Sequence, residues 1–77
     1  WVMIFYDPNQ EYPMHWTATI DFDYIVSGEI DLVLDSETIT LKPGDCAVIA
    51  GVRHQWRPGP EGCQMLLAIC GQQVDHV

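Results

Sequence analysis

The chain has 77 residues, a formal net charge of −8 and a hydrophobic content of 48%. This length fits one small domain, residues 1–77, and the hydrophobic content is high for a small monomer, so we expect a homodimer. Only three residues are Lys or Arg, and no apolar run approaches the roughly 20 residues that span a bilayer. We therefore expect no nucleic-acid partner, which would need a basic stripe, and no membrane partner, and we predict a cytoplasmic location.

The first strand is predicted over residues 1–6, WVMIFY, an apolar run that suits a buried or partner-covered strand. Turn signals fill residues 7–13. Residues 15–35 then read as two strands joined at a tight turn around Ser27-Gly28-Glu29, where glycine permits the chain to reverse.

The first of these two strands carries a polar row on one side, because successive side chains of a strand point to opposite faces. Four polar residues have the same parity: His15, Thr17, Thr19 and Asp21. Four apolar residues share the opposite face: Ile20, Phe22, Tyr24 and Val26. The polar row either lines a ligand-binding cavity in a small barrel or faces water, and the periodicity fits both. We expect Asp23 to be structural or on the surface.

The rest of the chain alternates short strands with Gly/Pro turns. Strands are predicted over residues 38–41, 46–50 and 64–69, with a turn at 42–45 and a loop at 58–62. Seven or so short strands without an amphipathic helix indicate an all-β antiparallel sandwich or barrel. The three cysteines lack CxxC spacing and are interpreted as free thiols, with Cys63, in the loop, the most exposed.

Two segments carry a recognisable motif pattern. Residues 13–28 contain H-x-T-x3-D-x6-G, starting at His15, and residues 43–58 contain P-G-D-x5-G-x2-H-x-W, starting at Pro43. These resemble the two motifs of the cupin superfamily, G-x5-H-x-H-x3-4-E-x6-G and G-x5-P-x-G-x2-H-x3-N. The resemblance covers about residues 13–70. It implies a cupin-like double-stranded β-helix, which is a jelly-roll barrel of short antiparallel strands.

The resemblance also implies a metal site. Cupin motif histidines and the glutamate hold a divalent metal, and His15, Asp21 and His54 stand at three of these four positions. Thr17 replaces the second histidine of the first motif and is a poor metal ligand. Two imidazoles and one carboxylate suit non-haem Fe(II), and the same set suits Mn, Zn or Ni. Because one ligand is lost and Asp is shorter than Glu, a barrel without metal is the alternative.

Without a metal, His15 and His54 beside Asp21 would form an acid/base pair, because a carboxylate orients an imidazole and raises its pKa. Both histidines are therefore candidate catalytic residues in either case. The hydroxyl of Thr17 is suited to hydrogen-bonding a bound water or substrate. Together with Thr19 and Trp56 it is a candidate substrate-binding residue.

Trp56 shares its parity with His54 and either walls the pocket or packs in the core. The leading hypothesis is a small cupin enzyme that acts on a small organic molecule by metal-assisted oxygenase or isomerase chemistry. One alternative is a metal-free lyase, dehydratase or isomerase. Two others are a non-catalytic small-molecule-binding or sensory module, and a degenerate barrel kept for assembly.

Overall fold

The computed structural model describes residues 1–15 and 19–70, and within these ranges the chain is all strand and turn. The five strands are β1 (Val2–Tyr6), β2 (Ile20–Val33), β3 (Thr38–Leu41), β4 (Cys46–Ala50) and β5 (Gln55–Cys70). The predicted all-β fold class is therefore confirmed, although the described residues form five strands, two of them long, rather than the seven or so short strands predicted. Within the same ranges no helix has the length and apolar character needed to cross a membrane.

The two long strands, β2 and β5, are the axis of the structure and pair antiparallel along most of their length. β4 pairs with the first half of β2, and β3 pairs with its second half. β1 pairs with the second half of β5. A bend in β2 therefore divides the ladder into two parts. One part contains β1, β4 and half of each long strand, and the other contains β3 and the remaining halves of β2 and β5.

The bend lies at Gly28, where the sequence predicted a hairpin, and that prediction was wrong. β2 continues through residues 27–29, and its register against β5 shifts between Ile25 and Ser27 and again between Gly28 and Ile30. Gly28 has a φ of 77°, and a Cβ there would collide with the carbonyl oxygen of Gly62. Glycine is therefore needed for a bulge and a close backbone approach rather than for a chain reversal.

The predicted loop at residues 58–62 was also wrong, because these residues belong to β5. Strand alternation consequently turns Cys63 inward beside Met65, and the thiol is 1% exposed rather than surface-exposed as expected. Burial raises the pKa of Cys63 to about 11, so the sulfur stays a protonated, inert core group.

The hydrophobic core lies between the two parts of the ladder. It contains side chains from all strands except β1: Ile25, Ile30, Leu32, Leu41, Ile49, Trp56, Cys63 and Met65. Tyr6 of β1 and Tyr12 pack against it from the side. This core sets the inward direction for every strand that surrounds it.

The first half of β2 has two faces of unexpected character. Its even-numbered apolar residues point outward, and Phe22 and Tyr24 are each 42% exposed. Its odd-numbered residues point inward, and Asp23 is only 3% exposed. Neighbouring strands extend the outward side into what we call the outer apolar face: Met3, Phe5, Ile20, Phe22, Tyr24 and Val48.

Candidate functional site

The site is centred on a pair of histidines. His15 and His54 face each other as an isolated antiparallel bridge in which each backbone N–H donates to the other's carbonyl, at 2.8 and 2.9 Å. Their rings lie edge to face with centroids 4.2 Å apart. The structure thus brings together the two residues predicted to be catalytic, one from each motif segment.

The hydrogen bonds of the two rings assign their tautomers. Nδ1 of His15 lies 3.2 Å from the carbonyl oxygen of Pro13, and Nδ1 of His54 lies 3.0 Å from that of Val52. A carbonyl only accepts, so each Nδ1 carries the proton and donates it. Each Nε2 is then left with a lone pair that is able to accept a proton or bind a metal.

The two imidazoles differ in their surroundings. His15 is exposed, whereas His54 is fully buried, and its Nε2 has no hydrogen-bond partner in the described part of the chain. A buried, unpaired acceptor costs free energy unless a ligand or substrate uses it. The unpaired Nε2 of His54 is therefore a candidate for contact with a ligand or substrate.

The carboxylate of the predicted metal set lies apart from the imidazoles. Asp21 is half-buried at the start of β2, where its Oδ1 accepts a hydrogen bond of 3.3 Å from the Thr19 hydroxyl. Among residues 1–15 and 19–70, no three His, Cys, Asp or Glu side chains are grouped closely enough to hold a metal ion. The metal role of His15, Asp21 and His54 therefore stays a prediction.

The predicted substrate-binding residues have separate positions. Thr17 lies outside the described residues. Thr19 is half-buried and turned towards Asp21. Trp56 is 5% exposed, and its ring lies 5.8 Å from that of His54. Trp56 is thus a core residue that also contacts the catalytic candidate.

Trp56 also lines a cavity of about 600 Å³, whose walls do not include His15, Asp21 or His54. This is within the usual range for small-molecule sites, roughly 300–1,000 Å³. Its walls come from the segment before His15 and from the start of β5: Pro8, Gln10, Glu11, Tyr12, Pro13, Gln55, Trp56, Arg57 and Pro58. Trp56 therefore fits both interpretations made from the sequence, since it packs in the core and walls a pocket.

Asp23 is the residue that the sequence reasoning missed. It is buried on the inward face of β2, and neither carboxylate oxygen has a hydrogen-bond partner within the described ranges. Burial, with a smaller contribution from the negative charge of Asp21, raises the pKa of Asp23 from 3.8 to about 7. The sequence does contain a signal for Asp23. It follows Asp21 by two residues, so it points to the same side of the strand as the polar row.

Tyr6 connects Asp23 to the aromatic wall. Burial and the nearby charge of Asp23 raise the pKa of Tyr6 to about 12, so its hydroxyl stays protonated. Its ring lies 5.0 Å from that of Tyr12 and 6.0 Å from that of Trp56. Tyr6, Tyr12 and Trp56 therefore form an aromatic layer, and the latter two also line the cavity.

The interior has acidic and basic acceptors but no positive charge of its own. All three Lys and Arg residues of the chain, Lys42, Arg53 and Arg57, are exposed. The buried carboxylate of Asp23 is therefore not balanced by a lysine or arginine of this chain.

Comparisons with known proteins agree with this architecture. The family described as Cupin domain matches residues 2–69. Phomopsin biosynthesis cluster protein D of Diaporthe leptostromiformis is 53% identical over 51 residues, which are 65% of this chain and 27% of that protein. The cupin-domain-containing oxidoreductase virC of Hypocrea virens is 38% identical over 55 residues, 70% of this chain and 28% of that protein. The chain thus spans little more than a quarter of the length of these relatives.

A solved structure supports the fold independently. The crystal structure of a protein of unknown function from Rhizobium leguminosarum superposes with a TM-score of 0.75 at 22% identity, over 87% of this chain and 64% of that one. With the family match over nearly the whole chain, this confirms the resemblance seen in the two motifs. The chain belongs to the cupin family, and its strands form the cupin β-barrel fold.

Proposed function

We propose that this domain is the catalytic part of an enzyme that acts on a small organic molecule, with His54 as general base. One observation carries the proposal: His54 is completely buried, its Nδ1 is held by a carbonyl, and its Nε2 lone pair has no partner in the described part of the chain. This is the arrangement that orients an imidazole to accept a proton.

The names of the relatives support a small-molecule substrate. The Diaporthe leptostromiformis relative is called a biosynthesis cluster protein, and the Hypocrea virens relative is called a cupin-domain-containing oxidoreductase. We extend only the general class, a small organic molecule in a biosynthetic pathway, since this chain covers a minor part of each relative. A cytoplasmic location belongs to the same proposal.

The chemistry follows from the position of the imidazole. Nε2 of His54 accepts a proton from a substrate carbon or oxygen, and the hydrogen bond from Nδ1 to the Val52 carbonyl stabilises the resulting imidazolium. The proton is then returned to another atom of the substrate, which completes an isomerisation, or to a leaving hydroxyl, which completes a dehydration. His15, with its ring 4.2 Å away, keeps the His54 ring in position.

The test is proton exchange in deuterated water. The full chain is incubated with a panel of small ketones, keto acids and amino ketones, and loss of the proton signals next to the carbonyl is followed by NMR. We expect exchange with at least one compound, and a His54→Gln variant should be slower by about 100-fold or more. A His76→Gln variant serves as the matched control, because it also removes one histidine.

Two results would contradict the proposal. One is exchange that is as fast with His54→Gln as with the unchanged protein. The other is compounds that shift the melting temperature of the protein but never exchange, which would favour a non-catalytic binding module.

A metal-assisted oxidoreductase is the second candidate, and it is favoured by two adjacent imidazoles that each present a free Nε2 lone pair. The names of the relatives also favour it. Elemental mass spectrometry on protein purified without chelator or nickel resin tests this candidate. Near-stoichiometric Fe, Mn, Zn or Ni that falls in a His54→Ala variant supports it, and no metal after reconstitution contradicts it.

We also propose that a second copy of this chain covers the outer apolar face. Its members are 42–64% exposed and none is charged, although the chain has a net charge of −8. Light scattering at increasing protein concentration tests this, with twice the chain mass as the expected result.

A further inference from the structure

The strongest unexplained feature of the molecule is the buried carboxylate of Asp23. The side chain is 3% exposed, and both oxygens lack a hydrogen-bond partner within residues 1–15 and 19–70. A carboxylate removed from water without a partner is costly, and native structures keep such a group only where it has a use. The fold places it inward, because its neighbours Phe22 and Tyr24 on β2 point outward.

The other unpartnered buried atom has the same character. Nε2 of His54 is an acceptor, since Nδ1 holds the ring proton against the Val52 carbonyl. The unpartnered buried side-chain atoms in the described part of the chain are the two Asp23 oxygens and this nitrogen. As a carboxylate, Asp23 only accepts hydrogen bonds, as Nε2 of His54 does, so a ligand that stabilises the charged form of Asp23 must be a donor.

Charge narrows the ligand class further. The half-buried carboxylate of Asp21 lies near enough to Asp23 to add to the negative potential there. The three Lys and Arg residues are exposed, and one of them, Arg57, lies in the wall of the 600 Å³ cavity. The whole chain has a charge of −8, which draws cations towards it.

We propose that the interior of the barrel binds the ammonium group of an amine substrate through Asp23. This inference rests on the proposed function, because it names the substrate class for the site that contains His54. An ammonium group supplies several donors and one positive charge, so it satisfies both oxygens of Asp23 in a charge-assisted pair. Asp23 is therefore a specificity-determining residue for amines over acids and alcohols of the same size.

The approach to Asp23 runs past the aromatic layer. Tyr6 interacts with Asp23, and its ring contacts Tyr12 and Trp56, which line the 600 Å³ cavity. Neither Asp23 nor His54 lines this cavity, so an ammonium group that enters through it reaches Asp23 only when the Tyr6 and Trp56 rings move apart. Aromatic faces also attract a cation, which assists its passage.

The experiment uses n-butylammonium chloride as the probe, with sodium butyrate, 1-butanol and sodium chloride as comparison solutes. Binding to the full chain is measured by isothermal titration calorimetry and by ¹⁵N NMR of the histidine rings. We expect saturable binding of butylammonium alone. Asp23→Asn should weaken binding by at least about tenfold, because it removes the charge while keeping the shape.

Two controls separate this effect from general electrostatics and from unfolding. Asp35→Asn removes one exposed carboxylate and changes the net charge equally, and it should bind as the unchanged protein does. Asp23→Asn should melt at a temperature no lower than the unchanged protein, since it removes an unpaired buried charge. The His54 ring nitrogen signal should also move on butylammonium binding, which a purely structural role for Asp23 would not produce.

The proposal is overturned if butylammonium does not bind, if butyrate or butanol binds as tightly, or if Asp23→Asn and Asp35→Asn have equal affinities. These failures are distinct from failure of the proposed function. Loss of proton exchange in His54→Gln with no effect of Asp23→Asn would leave the base intact and remove only the amine specificity. Unchanged exchange in His54→Gln together with lost binding in Asp23→Asn would rule out His54 as the base and leave the amine specificity intact.

Discussion

The two faces of the first half of β2 reverse the usual distribution of polarity. On the outer face Phe22 and Tyr24 are each 42% exposed, while on the inner face Asp23 is 3% exposed. Apolar surface is normally buried, and a carboxylate is almost never fully buried unless it is paired. Both departures lie on one regular strand, so neither is explained by a segment that lacks secondary structure.

Each face of the strand lacks a partner. The outer face lacks a cover, and its uncharged residues fit a second copy of the chain better than they fit water. The inner face lacks a donor, and its acceptors fit a ligand better than they fit the core. We therefore propose an assembly surface on one side of the strand and a ligand site on the other.

The largest loss of stability should come from shortening an apolar side chain on the inner face. Ile25→Ala removes a side chain that is 0% exposed at the centre of the core, and it should lower the free energy of unfolding by about 3 kcal/mol. Tyr24→Ala, one residue away on the outer face, should cost well under half of that in the monomer. Urea denaturation of both variants at low protein concentration checks this, and equal losses would contradict the assigned faces.

The next effect is a pH dependence of stability that comes from Asp23. Its pKa is about 7 in the folded chain and 3.8 when unperturbed, so the folded state holds the proton more tightly. Stability is then greatest below pH 4 and falls as the pH rises through 7. We expect a loss on the order of 3 kcal/mol between these limits.

Urea denaturation from pH 4 to 8 of the unchanged chain and of Asp23→Asn measures this contribution as a difference. Tyr6 and Asp21 are the titratable groups that interact with Asp23, and both are present in the two proteins. The unchanged chain should lose stability relative to the variant as the pH rises. Parallel curves would show that Asp23 is not held in a site that disfavours its charge.

A charge on the outer face should affect assembly rather than folding. Phe22→Glu places a carboxylate at the centre of the outer apolar face, and two copies would bring these charges together. We expect the dimer to weaken by at least about tenfold, with little change in monomer stability. Sedimentation velocity across a concentration series checks this, and an unchanged dimer would place the interface elsewhere.

The smallest change in stability should come from serine substitutions at two cysteines that lie on opposite faces. Cys63→Ser puts a hydroxyl into the core, where the thiol is 1% exposed, and should cost about 1–2 kcal/mol. Cys46→Ser, at an exposed position of β4, should stay within about 0.5 kcal/mol of the unchanged protein. Thermal melting of both variants with a reductant present gives the comparison, and equal shifts would show that Cys63 is not a core residue.

Much of the site was predictable because it rests on motif spacing. The two motif segments, placed from His15 and His54, indicated residues that the barrel brings to a ring distance of 4.2 Å. Asp21 was placed with them by the same resemblance, yet the described residues contain no three-ligand group. Motif spacing gives the order of residues along the chain, whereas ligand distances depend on how far apart the two parts of the barrel lie.

Glycine shows where the sequence alone was insufficient. A glycine between two strand-like runs is equally consistent with a hairpin and with a bulge in one continuous strand. The choice was made by the other strands, because β3, β4 and β5 offer partners to both halves of β2 and leave no reason for it to reverse. The same strand pairing keeps residues 58–62 in β5 and places the Cys63 side chain in the core.

By itself, the sequence determined the all-β class, the motif order and which side chains share a face, because Cβ positions alternate along every strand. It did not determine which face of β2 is inside. That was decided by the pairing of β2 with β5 and by the core around Ile25, which lies at the same parity as Asp23 and so draws the carboxylate inward with it. Burial is a property of what lies opposite a strand, and only the tertiary structure supplies that.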